Sequence, residues 1–267
     1  MRHDTSIPAL LGALGILLVP SVAAQQAWVI GPWVRASQTP VITPRAASTF
    51  VDPVSGKPVH WEALHTFNPA AVVRDGKIVV LYRAEDDSGE MAIGGHTSRL
   101  GMAVSEDGVH FERRPEPVFY PANDSQLQRE SPGGVEDPRL VETPDGRYVL
   151  TYTQWSRNTH VYTIGVAISS DLEHGTKFGP IFGTEGKYAH LKYKSSGLVT
   201  RLEGDHLIAA KIDGRYWMYW GEIEIHLATS SDLIHWHPLE DKDGAPKVLL
   251  RLRPGKSDSA FPETGPP

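Results

Sequence analysis

Two carboxylic acids stand side by side in "GGVEDPRLVETPDG", residues 133 to 146: Glu136 and Asp137, with a Pro-Arg pair behind them. Cleaving a glycosidic bond takes a proton donor at the leaving oxygen and a nucleophile or activated water on the opposite face of the sugar. Asp137 is the candidate donor. Pro138 disfavours helix at the residue before it and should hold Asp137 extended. Gly133 and Gly134 would let the backbone approach a ligand closely. Arg139 is placed to pair with an acid or with substrate. Glu136 would keep the Asp137 pKa high by like-charge proximity, although neighbours along a strand point apart. An ordinary Asp-Pro turn has the same residues.

Other polar clusters lie at comparable places. "TFNPAAVV" puts Asn68 just before a strand, and "LYRAEDD" puts Arg83, Glu85, Asp86 and Asp87 at the end of one. In "YWGEIEIH", Glu222, Glu224 and His226 alternate, so they share one strand face. That trio reads either as a metal-ligand pattern or, more simply, as a cross-paired strand face. Lys192, Lys194 and Lys211 read as solvated surface. Trp155, Trp217 and Trp220 are either sugar-stacking platforms or core.

The elements that must position these groups are strands. "DGKIVVLYRAEDD", "DGRYVLTYTQWSR" and "DGRYWMYWGEIEI" begin at Asp75, Asp145 and Asp213, and so recur after 70 and 68 residues. Each opens with Asp-Gly, a hairpin signal, and continues with β-branched and aromatic residues. "GMAVSEDGVHF", "GVAISSDLEHG" and "HLATSSDLIHW" form a second echo of strand, Ser-rich turn and Asp. Two echoes at a fixed period predict an all-β fold of radially arranged sheets, a β-propeller, ahead of a β-sandwich. Residues 25 to 267 hold only about three and a half such units, short of the four a closed propeller needs. The expected propeller is therefore incomplete at its C-terminal end.

The bulk properties narrow the ligand. A net charge of -6 over 267 residues disfavours nucleic acid and anionic membrane as partners and sits well with a neutral polar ligand. Residues 1–24, with Arg2 and His3 before "IPALLGALGILLVP" and "SVAA", read as an export signal cleaved after Ala24. The run is too short for a spanning helix. The expected mature domain is 25–267, periplasmic or secreted, with no further membrane span. There is no cysteine, so burial alone must stabilise it.

Together "FNPAAVVRDGKIVVLYRAED", "GVEDPRLVETPDGRYVLTYT", "VAISSDL", "AAKIDGRYWMYW" and "LATSSDLIHW" resemble glycoside hydrolase family 130, the β-mannoside phosphorylases and β-mannosidases. The resemblance spans about residues 65 to 240. It implies a five-bladed propeller, inverting cleavage of β-mannosidic bonds, a mannose-containing oligosaccharide as substrate and no cofactor or metal. It assigns the general acid to Asp137 and sugar binding to Asn68 and Arg83. Lys211 matches a lysine of the family pattern. Asp86, Arg139, Lys194, Asp258 and Glu263 are further substrate-binding candidates. The phosphorylases carry His-Arg-Pro where this chain has Trp220, Gly221 and Glu222. Lys211 remains as a cation there, with Lys194 or Arg157 as possible helpers. A carboxylate repels phosphate and suits a general base, so the expectation is a hydrolase with Glu222 as base, then Glu224 and Glu263. The alternatives are a phosphorylase using inorganic phosphate and a non-catalytic sugar-binding propeller fragment. Pairing of Glu222 with Lys211 would leave it structural.

Overall fold

A computed structural model describes residues 34–259. The expected export signal and Glu263 lie outside the described residues. From Ser37 to Ser259 the chain forms one compact, all-β unit.

A short pair, β1 (Phe50–Val51) and β2 (Pro58–Val59), precedes three repeated antiparallel meanders. The first is β3 (His65–Arg74), β4 (Lys77–Glu85), β5 (Ser98–Ser105) and β6 (Glu112–Arg113). One helical turn, α1 (Leu127–Glu130), leads to the second: β7 (Gly134–Glu142), β8 (Tyr148–Ser156), β9 (Val161–Ser169) and β10 (Gly175–Pro180). The third runs from β11 (Ser196–Leu198) through an inserted hairpin, β12 (Thr200–Glu203) and β13 (His206–Ala209). It continues as β14 (Lys211–Ile212), β15 (Arg215–Trp220), β16 (Glu224–Ser230) and β17 (Trp236–Pro238), with β18 (Val248–Arg251) on the open side of β16. Among the described residues no helix is long and apolar enough to cross a membrane.

Both sequence echoes have a structural cause. Asp75-Gly76 and Asp213-Gly214 are two-residue hairpin turns with positive φ at both positions, the geometry that matches strand twist. Asp145-Gly146 lies in a longer turn closed by Thr143. In the second echo, Ser105, Ser169 and Ser230 each donate a hydroxyl hydrogen bond to Asp107, Asp171 and Asp232. The same aspartate oxygen accepts two backbone N–H bonds, and the histidine three residues on meets the other oxygen. These short side chains replace the ladder where it ends.

Alternation along the strands divides the core. Val79, Leu81, Leu100, Met102, Leu140 and Leu150 pack between the first two sheets. Val141, Val149, Ile164 and Val166 turn the other way, against Leu198, Met218, Trp220 and Trp236 of the third. The middle sheet is thus buried on both faces, which is why its strands read as nearly continuous apolar runs. The first strands of the sheets adjoin, with β7 beside both β3 and β11.

The glycines before the paired acids act in this packing. A Cβ on Gly133 would fall 2.3 Å from Trp155, and one on Gly134 (φ 122°) 2.4 Å from the Ser98 backbone, where β5 and β7 pair in parallel. They let two sheets meet; the expectation that they open room for a ligand is not what the structure shows. Gly134→Ala therefore combines backbone strain with a clash that no rotamer relieves. It should lose about 1–3 kcal/mol or more of stability, read as a lowered urea midpoint with α1 and the site intact or as failure to fold.

Candidate active site

Asn68 and Asp137 occupy matching places in β3 and β7. Each precedes a proline, each lies at a break in register, and each is left-handed, with φ of 44° and 48°. Asp137 is therefore not extended, contrary to the sequence expectation. A following proline disfavours the right-handed region, and Asn and Asp are the side chains that most readily tolerate the left-handed one. The bulge also undoes strand alternation. Glu136 and Asp137 reach the same guanidinium instead of pointing apart.

That guanidinium is Arg83, buried near the end of β4. Its Nη2 lies 2.6 Å from Glu85 Oε1 and 2.8 Å from Glu136 Oε1, and its Nη1 3.0 Å from Asp137 Oδ1. Its Nε donates to Ser98 Oγ at 2.9 Å, and Phe67 lies under the plane at 4.6 Å. Asn68 Nδ2 donates to Asp137 Oδ1 at 2.7 Å. Glu85 uses its second oxygen on His65 Nδ1 at 2.8 Å. Three buried carboxyls thus share one arginine, and full ionisation would leave excess negative charge out of water.

The excess falls on Glu136. Burial pushes its carboxyl up, Arg83 opposes this, and Asp137 and Glu85 add to the rise, giving a pKa of about 7. Asp137 is buried too, but Arg83 and Asn68 outweigh that and hold it below the usual carboxylate range. Arg83 is itself buried, yet the carboxylates Glu136, Asp137 and Glu85 hold its pKa above the ordinary value. The expectation that Glu136 keeps the Asp137 pKa high is reversed: Asp137 stays ionised and raises Glu136.

Glu136 and Arg83 form one wall of a cleft of about 330 Å3. Trp155 and Tyr162 line it beside them, and Lys194 and Glu222 line it too. Lys194 Nζ is 3.7 Å from Glu222 Oε2. A second, wider cleft of about 680 Å3 adjoins at Arg83 and is lined by His65, Phe67, Glu85 and Ile93. The loop carrying Ile93 is docked between them by Trp155 Nε1, which donates to the Gly94 carbonyl at 3.0 Å, and by Arg157, which donates to that of Gly95.

Of the residues picked from the sequence, the structure brings together Asn68, Arg83, Asp137, Lys194 and Glu222. The others go elsewhere. Asp86 is buried on Arg99 Nη1 at 2.7 Å and braces the loop. Arg139 donates to the backbone carbonyls of Asp137 and Pro138 and supports the bulge from behind. Lys211 is exposed over the Tyr216 ring, so Glu222 has Lys194 beside it instead. Asp258 pairs with Arg253 at 2.6 Å. Glu222, Glu224 and His226 do not share a face. Gly221 and Ile223 both take positive φ and turn Glu222 into the cleft. Glu224 pairs with Arg251, while His226 stacks on Trp220. Trp220 is core and Trp217 bonds the Ile212 carbonyl. Sequence reasoning missed Glu85 as a partner of Arg83 and gave Glu136 only a modifying part. The available signal was their spacing: Glu85 two residues after Arg83 on one strand shares its face.

The comparisons agree on the family. Residues 35–262 match the family model described as beta-1,4-mannooligosaccharide phosphorylase. A 1,2-beta-oligomannan phosphorylase of Thermoanaerobacter sp. (strain X514) is 31% identical over 205 residues, 76% of this chain and 58% of that protein. A glycosyl hydrolase structure from Bacteroides ovatus is 49% identical, with a TM-score of 0.82, covering 85% of this chain and 63% of that one. Another solved structure is described by the words "the GH130 family of mannoside phosphorylases contains glycoside hydrolases that target beta-1,2 mannosidic linkages in Candida mannan". It is 48% identical, with a TM-score of 0.84, and covers 87% of this chain and 65% of that one. The chain thus spans less than two thirds of the length of each of these relatives.

The charge distribution at Arg83 makes a measurable difference. In a carboxyl-labelled NMR titration one glutamate should titrate near pH 7, and Asp137→Asn should move it down by removing the like charge. The sign for stability follows: folding takes up a proton at Glu136 between its unfolded value of about 4.3 and 7, so this contribution is lost as pH rises through that window. All glutamates titrating below about pH 5.5 would contradict the assignment.

Proposed function

This chain belongs to glycoside hydrolase family 130, and from that premise we propose that it cleaves β-mannosidic bonds of oligosaccharides by single displacement with inversion. The observation that carries the reading is the Arg83 cluster: Arg83 holds Asp137 behind the wall of a cleft that Arg83 itself and Glu136 line, and across which stands a third carboxylate, Glu222. Inverting cleavage uses an acid on one side of the bond and an activated acceptor on the other. The family resemblance gives the proton to Asp137, and the Glu136–Asp137 pair is the proton-bearing element here. Trp155 and Tyr162 offer apolar faces for the sugar ring. The relatives' names point to β-1,2 linkages. We read the three sheets as blades of the family's five-bladed propeller and residues 1–24 as an export signal.

For the acceptor, the family description and the curated relative favour phosphate, which makes phosphorolysis the reading that the relatives support better than the hydrolysis expected from the sequence. One feature of the cleft favours water as a second reading. A phosphate dianion needs charged donors. Of the two cations on the cleft wall, Arg83 is already shared by three carboxyls and Lys194 faces Glu222. A glutamate there suits activation of water.

The test is to incubate the protein with β-1,2-mannobiose, with and without inorganic phosphate. Mannose 1-phosphate formed only when phosphate is added establishes phosphorolysis. Free mannose at a phosphate-independent rate establishes hydrolysis. Absence of both turnover and calorimetric binding of the disaccharide would overturn the function.

A further inference from the structure

We propose that Ile93, at the tip of the loop between β4 and β5, is a specificity-determining residue whose side chain packs against the sugar unit on the leaving side of the scissile bond. The inference rests on the β-mannoside cleavage proposed above and names the part of this chain that reads the leaving unit.

The loop is built to hold its tip still. At its neck Asp86 accepts from the backbone N–H groups of Ser88 and Thr97 at 3.1 and 3.2 Å, and from Arg99 Nη1 at 2.7 Å. His96 Nδ1 meets the Ser88 carbonyl. Near the tip the Gly95 N–H donates to the Ala92 carbonyl at 2.9 Å, and the Ala92 N–H to that of Glu90 at 2.8 Å. Only glycine lets the two arms pass so closely: a Cβ on Gly89 would fall 2.0 Å from the Gly95 carbonyl oxygen. Underneath, Trp155 and Arg157 donate to the Gly94 and Gly95 carbonyls.

Ile93 is what this scaffold presents. It is fully exposed, Met91 beside it is largely exposed, and neither joins a core cluster. A large apolar side chain held in water gains free energy from whatever covers it. Two clefts meet at this point, because Arg83, Ile93 and Gly94 line both. The narrower, of about 330 Å3, holds Glu136, Lys194, Glu222 and the Trp155 ring. The wider, of about 680 Å3, is lined by Leu64, Phe67 and Met91. The ring whose anomeric carbon reacts belongs with the carboxyls in the narrower cleft, so the unit beyond the Ile93 ridge is the leaving one. The branched alkyl group meets the C–H surface of that unit and sheds water on contact. A loop already fixed in place loses little freedom on binding.

The test compares leaving groups in Ile93→Ala and Ile93→Leu. The substrates are β-1,2-mannobiose and β-mannosyl fluoride, whose leaving group is a single atom and does not reach the loop. Because Ile93 is exposed, both variants should keep wild-type stability. On mannobiose, kcat/KM of Ile93→Ala should fall by about 5–20-fold, the range expected for lost methylene contacts, chiefly through KM. On the fluoride the loss should be at least about five times smaller. Ile93→Leu, of equal volume, should recover most of the mannobiose rate. Equal losses of Ile93→Ala on both substrates, or mannobiose kcat/KM within about twofold of wild type, would overturn the role of Ile93 while leaving the function standing. A wild-type protein inactive on both substrates would overturn the function, and this inference with it.

Discussion

One arginine shared among three buried carboxyls is the interaction on which the rest of this structure depends. A lone ion pair in a dry site barely repays its desolvation. Arg83 is offered Glu85, Glu136 and Asp137, together with Ser98 and the face of Phe67. Burial and the like charges of Asp137 and Glu85 push the Glu136 carboxyl up to about 7, with Arg83 and Lys194 opposing them. The same surroundings thus move two adjacent carboxyls in opposite directions, Glu136 up and Asp137 down. Such separation of neighbouring acids is the usual basis of acid–base division in glycosidases.

The fold exists around that cluster in a specific sense. Two sheets contribute the arginine and the acids, from β4 and β7, and they can meet only because Gly133 and Gly134 present no side chain at the join. The bulges at Asn68 and Asp137 then redirect one residue in each of two first strands. The third sheet supplies Glu222 through a turn with two left-handed residues. Left-handed backbone at Asn68, Asp137 and Ile223 redirects side chains near the cleft, and the repeated Ser-Asp-His turns at the strand ends use it too, at Leu172 and Leu233.

Much of the scaffold was legible in the sequence. Asp-Gly turns and the Ser-Asp echo marked the strands and their repetition because they encode local geometry that needs no tertiary context. The convergence of Asn68, Arg83 and Asp137 was legible through family resemblance, since their separations along the chain carry no distance information. What was not legible had a common cause. Strand alternation put Glu136 away from Asp137 and grouped Glu222 with Glu224, and in both places a left-handed residue reversed the side chain's direction. Lys211 and Asp258 failed differently: each is on the surface, paired with a near neighbour, where a motif match carried no information about facing.

The measurement that bears most directly on this account is a double-mutant cycle on stability, pairing Arg83→Met with Asp137→Asn at pH 8. The single change at Arg83 strands three carboxyls and should cost about 3–5 kcal/mol. If the guanidinium organises the acids, removing Asp137's charge as well should recover part of that loss, giving a coupling of about 1–3 kcal/mol. Losses that add to within about 0.5 kcal/mol would mean that the two residues act independently and that Arg83 is not the centre of the site.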